Sequence, residues 1–166
     1  MSYHIPAIPH TSHLFSQFSQ ANCSSLTFLP ENLNEAQNSS DFIYSEVTTD
    51  IRKVFKKENL VIDYLTDEKP ILRARKSADW FGPTIFIGFS ILSQNSNLIN
   101  VSLDLFSSYL YDFFKGSTSN KKVKFNLVIE NKKNKEFKSI SYEGPIDGIK
   151  ELEEVIKGLK NGNSVQ

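Results

Sequence analysis

The chain has 166 residues, with 13 Phe, a single Cys, and 19 basic against 19 acidic side chains for a net charge of zero. That length suits one domain with a sizeable core and is short for two. Zero net charge excludes a whole-molecule field that would steer the chain onto nucleic acid or an anionic membrane, and the lone Cys23 excludes an internal disulfide.

The charge is unevenly placed. Residues 1–50 hold no Lys or Arg but five acids, Glu31, Glu35, Asp41, Glu46 and Asp50; all 19 cations and the other 14 acids follow. The opening MSYHIPAIPH lacks the positive and apolar regions of a secretory leader. With the single cysteine, this predicts a reducing, cytoplasmic setting.

Residues 1–40 are rich in Ser, Asn, Gln and Pro, and Pro6, Pro9 and Pro30 resist regular structure. They read as an extended N-terminal arm with a short helix near Glu31–Gln37. The arm carries Leu14, Phe15, Phe18 and Phe28, which are too apolar for a plain linker. It is therefore expected to dock onto a partner and to be removable without unfolding the rest. Residues 41–160 read as a single α+β domain and 161–166 as a flexible tail.

Phe42 to Lys57 has helical spacing, with Asp41 as N-cap and Lys53, Lys56 and Lys57 at the end where the helix dipole favours cations. Leu60–Leu65 and Ile71–Lys76 flank the turn-like TDEKP and predict a hairpin with a basic face. Trp80 to Leu92, WFGPTIFIGFSIL, is the most apolar stretch, shorter than the roughly 20 residues a spanning helix needs. It is expected in the core, with Trp80, Phe81 and Phe86 forming an apolar rim open to a partner. Leu98–Lys115 predicts a central helix stopped by Gly116. Lys122–Glu130 and Glu136–Tyr142 alternate as a second hairpin around a basic turn, and Ile149–Leu159 is an amphipathic helix capped by Asp147. Two hairpins alternating with helices predict an α+β fold with a mostly antiparallel sheet packed on helices, a relative of the ferredoxin-like sandwich.

Three stretches carry a family resemblance: the helical middle ending in YLYDFFKG, the basic hairpin KVKFNLVIE…FKSISYEG, and the closing PIDGIKELEEVIKGL. Over about residues 59–159 the chain resembles small effector-associated components of bacterial conflict and antiviral defence systems. The resemblance implies a noncatalytic adaptor linking a sensor or protease-like module to an effector, with protein partners encoded nearby.

The chemistry-bearing residues form no known catalytic pattern. His4, His10 and His13 with the distant Cys23 match no zinc spacing, so no metal or cofactor is expected. Cys23 has no neighbouring base or cation to activate it. Asp104 and Asp112 read as surface positions of the central helix. A second reading makes Arg73, Arg75 and Lys76, with Lys132, Lys133 and Lys135 of the basic hairpin, phosphate contacts of a nucleic-acid accessory protein. Arg, the main specific reader of bases, is absent from that hairpin. A third reading is an immunity or antitoxin-like protein that masks an enzyme.

Overall fold

The computed structural model describes residues 2–4, 25–74, 80–116, 122–132 and 136–160. Its strands are β1 (Ser2–His4), β2 (Leu26–Leu29), β3 (Ile43–Ser45), β4 (Ile62–Tyr64), β5 (Ile71–Arg73), β6 (Trp80–Ile87), β7 (Val123–Lys132) and β8 (Glu136–Gly144). Its α-helices are α1 (Thr48–Lys57), α2 (Phe89–Gln94), α3 (Ser96–Phe113) and α4 (Leu152–Lys160), the last preceded by the 3-10 turn Ile146–Glu151.

Six strands form one sheet in the order β1-β8-β7-β6-β2-β4, and β3 and β5 form a separate pair. The six-stranded sheet is mixed. β1–β8, β8–β7 and β6–β2 are antiparallel, whereas β7–β6 and β2–β4 are parallel. Each parallel pair needs a crossover. Helices α2 and α3 connect β6 to β7, and the path from β2 to β4 runs through β3 and α1. The α+β class and the mostly antiparallel sheet packed on helices are as the sequence predicts.

The assembly differs from the expected pair of hairpins in one half. The hairpin β7–β8 forms, with Val123 opposite Gly144 and Leu127 opposite Ile140. The other does not. β4 pairs with β2, and β5 pairs with β3, both in parallel. The residues between them are bends rather than a tight turn.

The arm boundary also moves. Ser2–His4 adds to the edge of the sheet beside β8, and Leu26–Leu29 lies inside the sheet between β6 and β4. Every residue of β2 is buried, and Phe28 is 0% exposed. Phe28 is thus a core residue of this chain, not a docking side chain. Leu14, Phe15 and Phe18 lie outside the described residues, as do 161–166.

Glu31–Glu35 forms turns rather than the expected helix. Asn32 ties this loop down: its amide donates to the Asp41 carbonyl and its carbonyl accepts the Ile43 N–H, both at 2.8 Å. Asp41 sits in a 3-10 turn, and α1 begins only at Thr48.

The core lies between the sheet and the helices. Leu26, Ile85, Ile87, Phe125 and Leu127 face Phe55 of α1 and Ile99, Leu103 and Phe106 of α3 across a residual cavity of about 30 Å³. Side chains alternate along a strand, so Thr27, Phe86 and Val128, in register with one another, point to the opposite face. Thr27 and Phe86 are each 1% exposed, so the centre of the sheet is buried on both faces. That is why WFGPTIFI reads as a continuous apolar run with no strand alternation.

Gly82 and Pro83 sit in this central strand, where the β6–β7 register shifts between Phe81 and Thr84. Proline inside a sheet is confined to such irregularities. A Cβ on Gly82 would lie 2.2 Å from the Trp80 ring, so only glycine lets the indole lie across the strand. The indole then meets Phe106 edge-on, with ring centroids 5.4 Å apart.

Candidate docking edge

The outer margin of the six-stranded sheet is β4, and the sequence builds a groove beside it. Helix α1 ends with Asn59 at φ 57°, a left-handed conformation that Asn tolerates better than most residues. The Asn59 N–H donates to the Lys56 carbonyl at 3.1 Å and the Leu60 N–H to the Phe55 carbonyl at 3.0 Å, the paired bonds of a Schellman turn. This turn reverses the chain and sends Leu60–Tyr64 back along α1. Ile51 and Phe55 are buried and fix the helix to the sheet. Thr49, Arg52, Lys53 and Lys56 then recur at helical spacing and line one wall. Leu60, Val61, Ile62, Asp63 and Tyr64 line the other, enclosing about 410 Å³.

Three cations and one acid face this groove. Arg52 bonds to Asp63, Nε to Oδ1 at 2.8 Å, and its guanidinium lies 5.5 Å from the Tyr64 ring centroid. Both partners are about half exposed, at 52% and 50%. Such a pair contributes only about 0–1 kcal/mol, so another carboxylate displaces it cheaply. Among the described residues, no carboxylate forms an ion pair with Lys53 or Lys56. Val61 is 58% exposed at the mouth.

The second pair of strands flanks this edge. Tyr44 of β3 packs edge-on against Tyr64 of β4, with centroids 4.7 Å apart, and Thr48 and Tyr64 share a hydroxyl contact at 3.0 Å. Burial pushes the Tyr44 hydroxyl up to about 12. Outside it, β5 is exposed along its whole length, and successive residues point to opposite faces. Ile71 and Leu72 are therefore bare on both sides, at 48% and 44%. The β3–β5 pair thus meets β4 through Tyr44 and Tyr64, and among the described residues β4 and β5 each pair with one strand only.

The sequence-derived candidates fall elsewhere. Trp80 and Phe86 are buried core residues and not an apolar rim; Phe81 is half-buried, with the Lys124 ammonium 5.2 Å from its ring centroid. Arg73 lies at the end of β5 and pairs with Glu31 at 3.7 Å. Arg75, Lys76, Lys133 and Lys135 lie outside the described residues, as does the Lys132 side chain. At the other end of the β7–β8 hairpin, Glu143 reaches both Lys122 and Lys124, at 4.0 and 3.6 Å. Asp104 is exposed and pairs with Lys150 at 3.7 Å. His10, His13 and Cys23 lie outside the described residues, as does the side chain of His4. Among the described residues no three His, Cys, Asp or Glu converge as a ligand set, and no helix is long and apolar enough to cross a membrane. In the sequence Lys53 and Lys56 stand out only as cations at a helix end; the wall that faces them is visible once β4 pairs with β2.

In comparisons with known proteins, no family model matches this chain, and no characterised protein or solved structure matches it.

Proposed function

We propose that this chain is a noncatalytic protein-binding component of a multi-protein bacterial assembly, working in the cytoplasm. The observation that supports this reading best is β5, a strand with Ile71 and Leu72 exposed on opposite faces and, among the described residues, paired to β3 alone. A free strand edge offers unpaired backbone donors and acceptors, and proteins recruit partners by adding a strand there. Exposed apolar groups beside such an edge supply the desolvation that makes the contact specific. The setting, with antiviral defence as one such system, rests on the resemblance of residues 59–159.

The test is co-expression with the products of the flanking genes, followed by size-exclusion chromatography with light scattering. A complex of defined stoichiometry is expected, and Val61→Lys with Leu72→Lys should dissolve it while leaving the circular dichroism unchanged. A complex that survives both substitutions, or a chain that stays alone, contradicts the reading.

A further inference from the structure

We infer that the β4 edge accepts an extended acidic segment of a partner protein, added as a further strand with its carboxylates against Arg52, Lys53 and Lys56. The inference rests on the protein-binding reading and specifies the partner's chemistry. Among the described residues β4 is paired on one side only, to β2, which leaves its outer side as the edge to which a new strand adds. The helical wall above that edge carries cations at helical spacing, and the groove as a whole has three cations against Asp63. Charge complementarity therefore selects an acidic occupant. A strand places every second side chain on one face, so alternating Glu or Asp would meet the α1 wall while the intervening residues face away from it. Val61, largely exposed at the mouth, gives an apolar intervening residue a contact.

A second copy of this chain fits less well, because joining two β4 edges brings two cationic grooves together. Nucleic acid fits less well too: its backbone has no counterpart to the N–H and C=O ladder of a strand edge.

The experiment titrates the full chain, followed by two-dimensional amide NMR, with the peptide acetyl-Thr-Glu-Val-Glu-Val-Glu-Thr-amide. The expected result is saturable shifts centred on the amides of Leu60–Tyr64, with the lysine counterpart of the peptide giving none. Lys53→Glu with Lys56→Glu, both exposed helix positions that leave the fold intact, should weaken binding roughly tenfold or more. No saturable shift at these amides, equal shifts with the lysine peptide, or tighter binding of oligothymidylate at the same residues would overturn the inference. Failure here is separable from failure of the wider reading. If the co-expressed complex forms and depends on Leu72 but not on Lys53 and Lys56, the chain binds protein through β5 and only the acidic-strand inference falls.

Discussion

Glu130 of β7 accepts the backbone N–H of Phe89 through Oε1 at 3.0 Å, joining the central hairpin to the first residue of α2. The side chain is 1% exposed, and among the described residues its second oxygen has no hydrogen-bond partner. Removing the acceptor would leave the Phe89 N–H without this partner, at a cost of about 1–3 kcal/mol. Glu130→Ala should therefore lower the denaturation midpoint clearly, while Glu130→Gln, which keeps a carbonyl oxygen for Phe89, should do so far less. Urea melts of the three proteins check this; equal losses for Ala and Gln would show that the bond to Phe89 is immaterial.

Truncation tests the position of β2. Deleting residues 1–40 removes β1 and β2, so β4 loses the strand that holds it in the sheet. Phe28→Ala alone should cost about 3–5 kcal/mol, a large share of a typical total of about 5–15 kcal/mol. The truncated chain should be unfolded by circular dichroism. A cooperative thermal transition in it would place β2 outside the folding unit.

Trp80 is the single tryptophan and reports on the irregularity in β6 directly. Gly82→Ala sets a methyl against the indole and also 2.9 Å from the Phe125 Cβ. Overpacking of this kind costs about 1–3 kcal/mol. Trp80 fluorescence should shift to longer wavelength as the ring is displaced, and the unfolding midpoint should fall. Unchanged emission and midpoint would mean that the ring does not lie across Gly82.

The buried tyrosines predict alkaline sensitivity. Burial is the main cause that pushes the hydroxyls of Tyr44 and Tyr109 up to about 12 from an ordinary 10.0. The folded state thus keeps protons that the unfolded chain releases. This stabilisation is complete below pH 10 and is lost as pH rises through 12. Burial raises the Tyr142 hydroxyl as well, so absorbance at the tyrosinate band should show Tyr44, Tyr109 and Tyr142 lagging behind an ordinary tyrosine, with stability falling over the same window. Phe substitution at Tyr44 or Tyr109 should remove one lagging group.

Much of the fold is legible because it is local. Ser96–Phe113, the β7–β8 hairpin and the closing helix announce themselves by period, since each meets the core on one stripe or face. The inward face of α3 is less legible: Ile99, Ser102, Leu103 and Phe106 are buried, while Val101 and Phe113, which share its apolar character, are largely exposed. Strands β3, β4 and β5 have three residues each, and β4 and β5 find their partners across long, parallel separations. No local pattern encodes such pairings, so a nearby turn signal, TDEKP, outcompeted them. The same non-local pairing hides the candidate site, because the groove requires Asn59 to turn the chain and β2 to receive β4.

Hydrogen–deuterium exchange of this chain, alone and in complex with a co-expressed partner, tests the binding reading most directly. Free edges exchange quickly, and strand addition protects them. New protection is expected at Leu60–Tyr64 and Ile71–Arg73, with the central strands β6 and β7 slow in both states. A complex that protects other segments and leaves both edges exchanging as in the free chain would contradict that reading.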